Sequence, residues 1–274
     1  MACWTSTQKA IIFFLSPAPV FQGFTPHVPE LPPPHWLEKV EHLAKEYHQA
    51  VLKNETGLSL LTARGLKLET IKKFQIGWNE TDTHYSPNLW GLPLQDEHGN
   101  RTRDIWLPPG ITIPTVFEGQ IRRLKIRRRD WKYGDEFPKY INITGNYKAL
   151  SYFGNATNPH IILVESELDA ALIDQEAGHL CCALTTGGAQ NRPDATTHRI
   201  LKASRLILFS FDWDEKGPSE NEQAKIAKNA FKFWKSEYPQ LKPWFVPRGK
   251  SPGDYFQDDG DLYAWIHRGL KEYL

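Results

Sequence analysis

"RLILFSFDWDEKG", residues 205–217, runs an apolar segment straight into two aspartates one residue apart. If the chain stays extended there, Asp212 and Asp214 project to the same side, because strand side chains alternate with period two. Two carboxylates held that close repel each other unless a cation or a shared proton relieves them. Alone, the stretch fits either a loop carrying two solvated acids or half of a metal site. The sequence around it weighs on that choice.

From His160 onward, short and mostly apolar runs recur: "HIILV" (160–164), "LCCAL" (180–184), "RLILF" (205–209) and "PWFV" (243–246). Helical stretches lie between them. "ELDAALIDQEAG" (167–178) ends in a glycine stop, and "NEQAKIAKNAFKFWKSEY" (221–238) sets Ala227, Ala230, Phe231 and Trp234 on one stripe. Strand and helix alternating in this way imply a parallel sheet covered on both faces. Ligands of such sheets gather at the carboxyl ends of the strands, and the acids stand there. "IILV" runs into Glu165, with Glu167 and Asp169 following. "LILFSF" runs into Asp212 and Asp214, and "PWFV" is followed by "PRGKSPGDYF", which carries Asp254. If these three strands are neighbours, at least four carboxylates converge without histidine or cysteine. That all-oxygen set suits Mg²⁺ or Mn²⁺ and not zinc, and such ions catalyse phosphoryl transfer. Glu167, in a first helical turn where acids suit the dipole, is expected to be exposed.

Upstream the rhythm differs. Residues 1–33 form a Pro-rich N-terminal arm, expected to be extended and outside any core. A helix should start near His35, with Leu37, Val40, Tyr47 and Val51 at helical spacing. "GLSLLTARGLKLETIKKFQIGW" (57–78) reads as two short helices separated at Gly65. From Trp90 to about Ile143 come β-like segments broken by turn residues, including "ITIPTVF" and "IRRLKIR". In the latter, Leu124 and Ile126 alternate with Arg123, Lys125 and Arg127. As a strand it should bury one face and show three cations on the other, which is also how a solvated edge strand is protected. The expected organisation is a small basic α+β subdomain, 34–156, followed by a compact α/β domain, 157–274.

The chain has 274 residues, 40% apolar and 24% charged, with net charge +1, so the whole is no polycation built for nucleic acid. Three cysteines (Cys3, Cys181, Cys182) make neither a disulfide framework nor a Cys-rich zinc site. They point to a reducing, cytoplasmic location. "IIFFL" (11–15) is too short for the ~20 residues of a membrane span, and no membrane partner is expected.

"VESELDA…ALTTGGA…LFSFDWDEKG…GKSPGDYF" resembles the TOPRIM domain of DnaG-type bacterial primases, topoisomerases and some nucleases. "LLTARGLKLETIKKFQIGW", "ITIPTVFEGQIRRLKIRRRD" and "FPKYINITG" precede it in the order found in the catalytic core of DnaG-type DNA primases. The resemblance spans residues 55–257. It implies a TOPRIM domain with a central parallel sheet flanked by helices, after the basic subdomain. It makes Glu165, Asp169, Asp212 and Asp214 the catalytic acids, and Glu165, Asp212, Asp214 and Asp254 the ligands of Mg²⁺ or Mn²⁺. Arg127 (alternatively Lys125), Lys139, Gly187 and Gly188 would bind nucleotide or template phosphates.

Primase relatives often read Gly-Lys-Asp-x-x-Asp-Tyr where this chain has "GKSPGDY", so Ser251 removes one acid. The "RGKS" in the same stretch lacks Walker A spacing, since Trp244 stands where the first glycine is required. The implied activity is synthesis of short RNA primers on single-stranded DNA from ribonucleoside triphosphates. The alternatives are a TOPRIM nuclease, or a non-catalytic single-strand-binding replication module, which Ser251 favours. With no zinc ribbon of paired cysteines in view, template selection would come from a helicase, a separate zinc-ribbon protein or another replication partner. Such a stripped-down architecture suits a mobile element or virus.

Overall fold

The computed structural model describes residues 23–212 and 222–274, with side chains from 229 onward in the second stretch. The 11–15 run, Cys3, Asp214 and the Ala227 side chain lie outside these residues. The described residues divide into two compact units: Pro29–Lys148, and Ala149–Leu274 together with residues 23–28.

In the first unit, helix α1 (Pro34–Val51) begins with a proline in its first turn, where the missing N–H removes no helical bond. Its apolar stripe, Trp36, Val40, Ala44 and Tyr47, packs on Trp90, Ile105, Leu107, Leu124, Ile126 and Ile143. α2 (Glu55–Thr62) is capped by Asn54, whose side chain accepts from the Gly57 N–H at 2.7 Å. The chain reverses through Gly65 at φ +86° into α3 (Leu68–Lys73). Strands β1 (Gly77–Asn79), β4 (Gly110–Phe117), β5 (Gln120–Arg128) and β6 (Tyr140–Asn142) form an antiparallel sheet in the order β1-β4-β5-β6. β2 (Thr83–Tyr85) and β3 (Ile105–Leu107) pair separately.

β5 corrects two expectations. It is an interior strand, so its charge protects no edge; the edges are the three-residue strands β1 and β6. Leu124 and Ile126 do face the core, yet the opposite face is not a row of exposed cations. Arg123 is 7% and Lys125 2% exposed. The guanidinium of Arg123 lies over the Phe117 ring (5.8 Å) and the ammonium of Lys125 over Tyr140 (5.7 Å). Aliphatic stems and ring faces let these cations be covered at lower cost than an apolar wall would.

In the second unit, β7 (Ser151–Phe153), β8 (His160–Val164), β9 (Cys182–Thr185), β10 (Leu206–Phe209) and β11 (Leu241–Pro243) form a sheet in the order β11-β10-β8-β9-β7. Four strands are parallel, and β7 pairs antiparallel with β9. β7 therefore belongs to this unit, which places the division ahead of the expected 156/157. β11 precedes the "WFV" of the expected run, although the Trp244 N–H still donates to the Phe209 carbonyl at 2.8 Å.

Ile161, Leu163, Leu184, Ile207, Phe209 and Leu241 face one side of the sheet. There they meet Leu201 of α5 (Ala195–Ala203) and Ala230, Phe231, Phe233 and Trp234 of α6 (Glu222–Glu237). The other side is covered by α4 (Glu167–Ala177) and α8 (Leu262–Tyr273), with the short α7 (Pro252–Gln257) against α4. α4 is buried from Glu167 to Asp174, so Glu167 is buried and not exposed as expected. Cys181 and Cys182 are free and buried.

The described part of the Pro-rich segment is no loose tail. Phe24 packs edge-on against Phe233 (5.0 Å), and the His27 carbonyl accepts from the Ala195 N–H at 2.8 Å. Among the described residues no helix is long and apolar enough to cross a membrane.

Trp36 is fully buried and its indole N–H donates to the Thr144 carbonyl at 2.7 Å, which gives it a core role and not a surface one. Trp36→Ala is expected to lower stability by about 3–5 kcal/mol. Urea unfolding checks this; a loss below about 1 kcal/mol would contradict the packing described.

Candidate active site

Parallel pairing places β10 between β11 and β8, so the three acid-bearing strand ends are adjacent, as the sequence pattern requires. Register Phe209↔Leu163 continues through the Ser210 N–H, which donates to the Leu163 carbonyl at 2.9 Å. One step further, the Asp212 N–H donates to Glu165 Oε1 at 3.2 Å. The Glu165 side chain thus lies across the end of β10, next to the exposed Asp212. The Asp214 position lies outside the described residues.

Burial pushes the Glu165 carboxyl up to about 7; the Asp212 N–H opposes this and the Asp169 charge adds to the rise. A carboxyl near neutrality can take or release a proton at ordinary pH, and a cation beside it would favour its ionised form.

Asp169 is buried at the N-terminus of α4. Ser166 caps that helix, its Oγ accepting from the Asp169 N–H (3.2 Å) and donating to Asp169 Oδ2 (2.7 Å). Asp169 Oδ1 accepts from the Gly253 N–H at 3.1 Å. Ser251, the residue that departs from the primase pattern, caps α7, its Oγ accepting from the Asp254 N–H at 3.2 Å. Asp254 is exposed, and its Oδ2 turns back to accept from the Lys250 N–H at 3.3 Å.

The "TTGG" turn is anchored to β8. The Thr186 N–H donates to the Val164 carbonyl (3.1 Å) and Thr185 Oγ1 to the Glu165 carbonyl (2.8 Å). The Gly187 N–H donates to Thr185 Oγ1 at 3.1 Å, so this turn uses it internally. Gly188, at φ +152°, is the open point: a Cβ there would meet only Asn191 Nδ2, at 3.7 Å.

Ion pairs sort the basic run of the other unit. Arg122 pairs with Glu118 (2.9 Å), Arg128 with Asp130 and Asp135 (both 3.3 Å), and Arg129 with Glu80 (2.8 Å). Arg127 is half-buried opposite Tyr140 on β6, and its buried Nε, like those of Arg122, Arg123 and Arg128, makes no hydrogen bond. Burial lowers its pKa, the Tyr140 charge opposes this, the Arg64 charge lowers it further, and the Tyr140 hydrogen bond raises it. Lys139 lies over the Trp131 ring at 5.4 Å.

The structure thus brings together Glu165, Asp212 and the buried Asp169, while the Asp254 carboxylate folds onto its own turn. Among the described residues, no three His, Cys, Asp or Glu side chains are grouped to hold a metal. Sequence reasoning passed over Ser166, Arg64 and Tyr140. The first is legible as a cap three residues before Asp169; the Arg127–Tyr140 pairing needs the fold.

A carboxyl raised by folding favours the folded state while protonated and penalises it as pH climbs from 4.5 through about 7. Glu165→Gln keeps an acceptor for the Asp212 N–H and cannot ionise. It should raise the Tm of metal-free protein at about pH 8 and leave it unchanged at about pH 4. Equal effects at both pH values would remove burial as the cause.

No family model matches the chain. It is 22% identical over 264 residues to a DNA primase of Pasteurella multocida, an alignment that takes in 86% of this chain and 44% of that protein. The chain therefore spans less than half the length of that curated relative. Among solved structures it matches the DnaG catalytic core with a TM-score of 0.59 at 18% identity, covering 85% of this chain and 79% of that one. The RNA polymerase domain of Mycobacterium tuberculosis primase DnaG, solved with a double-stranded DNA oligomer bearing a 6-nucleotide overhang, matches at TM-score 0.58 and 19% identity, over 85% and 80%. A DNA primase domain from Pseudomonas aeruginosa matches at 0.57 and 22%, over 85% and 78%. The chain has the fold of the DnaG-type primase catalytic core, the resemblance its motif order carries.

Proposed function

We propose that this chain is a primase-type nucleotidyltransferase that synthesises short RNA primers on single-stranded DNA from ribonucleoside triphosphates. The observation that carries this reading is Glu165, a carboxyl near neutrality laid across the end of β10 by the Asp212 N–H. The likeness to primase cores in sequence and fold supports it.

In this reading the 3′ hydroxyl oxygen bonds to the α-phosphorus of the incoming nucleotide as the bond to pyrophosphate breaks. The hydroxyl proton passes to Glu165 at Oε2, Oε1 being held by the Asp212 N–H. The oxygen-only donors Glu165 and Asp212 fit Mg²⁺ or Mn²⁺, and the raised Glu165 carboxyl is what a cation would relieve. Asp214 would complete the pair with Asp212, and Asp254 would be a fourth ligand. When bound, the ion would polarise the reacting oxygens. Arg127, with Arg64 and the Tyr140 hydroxyl, would hold phosphate oxygens, and Lys125 and Lys139 would add positive charge. Gly188 would let a phosphate approach the backbone. A helicase, or a protein carrying a zinc ribbon, would be the partner that selects the template.

Incubation with single-stranded DNA, labelled NTPs and Mg²⁺ or Mn²⁺ should yield new oligoribonucleotides. Shortened template would instead support the nuclease, and unchanged material the binding module. Asp212→Asn combined with Asp214→Asn should abolish synthesis; undiminished synthesis would remove the acids from the site. Arg127→Ala should raise the KM for NTP about tenfold while kcat changes less, as expected for the loss of a charge-assisted phosphate contact. An unchanged KM would exclude that role.

A further inference from the structure

We infer that Asp169 is a positioning residue that ties the 249–254 turn to the Glu165 strand end, and not itself a metal ligand. The inference deepens the proposed reading and rests on it for the identity of the metal site.

Both Asp169 carboxylate oxygens are engaged by donors of the same unit. Oδ2 accepts from Ser166 Oγ at 2.7 Å and Oδ1 from the Gly253 N–H at 3.1 Å. Asp169 is 5% exposed, and the groups on both sides of it, Ser166–Glu167 and Ser251–Gly253, are the opening turns of α4 and α7. One buried carboxylate therefore joins two helix starts, one directly after Glu165 and the other carrying Asp254.

The fit is close. A Cβ on Gly253 would sit 2.5 Å from Asp169 Oδ1, so glycine is required for the contact and not for a special backbone angle. Ser251 fits the same account. Its hydroxyl caps α7 by accepting the Asp254 N–H, the job an aspartate at that position would do, without adding a second buried negative charge beside Asp169. The departure at Ser251 thus keeps the geometry of the turn and gives up a charge.

A ligand to Mn²⁺ draws on the carboxylate charge, which an amide oxygen does not supply, whereas a tie needs only an acceptor at Oδ1 and a polar partner for Ser166. Asp169→Asn supplies both. Mn²⁺ binding to the purified chain, read from the EPR signal of free Mn²⁺, separates the roles. Amide hydrogen exchange over residues 251–257 in metal-free protein reads the tie itself. Asp169→Asn should keep its exchange protection and a Kd within about threefold of the parent, while Asp169→Ala and Gly253→Ala lose protection and weaken Mn²⁺ about tenfold or more. Gly253→Ala leaves every carboxylate in place, so its loss would report position alone.

A tenfold loss in Asp169→Asn with protection intact would overturn the inference in favour of a ligand. Parent-like exchange in both alanine variants would overturn it too. If the parent binds no Mn²⁺, the metal part of the primase reading fails, and the tie stands or falls on the exchange data.

Discussion

Everything at the candidate site depends on one constraint, the parallel register of β8 between β9 and β10. Parallel hydrogen bonds fix neighbouring strands without slip, and a one-residue shift would turn every side chain to the opposite face. Here that register is pinned by dense packing on one side, where Ile161, Leu163, Ile207 and Phe209 meet the aromatic face of α6. With the strands so held, the chain leaving β8 and the chain leaving β10 emerge side by side. A backbone N–H from the latter then holds the Glu165 carboxylate. The same register lets Thr185 and Thr186 fasten the glycine turn to the end of β8.

Electrostatics follow from that placement. Glu165 is raised because its surroundings exclude water, and the Asp169 charge nearby adds to the effect. Asp169 withstands burial because Ser166 and Gly253 supply the donors that water would otherwise give. Two acids four residues apart thus differ in condition: Glu165, with one backbone donor, is pushed up towards neutrality by burial, while Asp169 has a donor on each oxygen. Environment, not residue type, separates them.

The basic strand shows the same sorting among cations. Seven Arg and Lys residues between 122 and 132 look alike as a string. In the fold, Arg122, Arg128 and Arg129 are neutralised by Glu118, by Asp130 and Asp135, and by Glu80. Arg123 and Lys125 are covered by aromatic rings. Arg127 stands half-buried opposite Tyr140 and hydrogen-bonds to it, and burial disfavours its charge.

Much of the fold was legible in the order of residues, because periodicity is a local property. The apolar runs at 160–164 and 206–209, the helix opening at Pro34 and the alternation of Leu124 and Ile126 with cations follow from what each segment must bury. The acids at the strand ends were legible for the same reason, since a charge directly after an apolar run marks where the buried strand ends. Tertiary structure alone decided which charges are covered and by what. Glu167 went inside because α4 is enclosed on several sides, and β5 became an interior strand because β6 pairs with it. It also decided that Asp169 meets Gly253, 84 positions away, and that Ser251 keeps the turn an acid would otherwise cap. Burial and hydrogen-bond partnership depend on residues distant in the chain, and no local pattern encodes them.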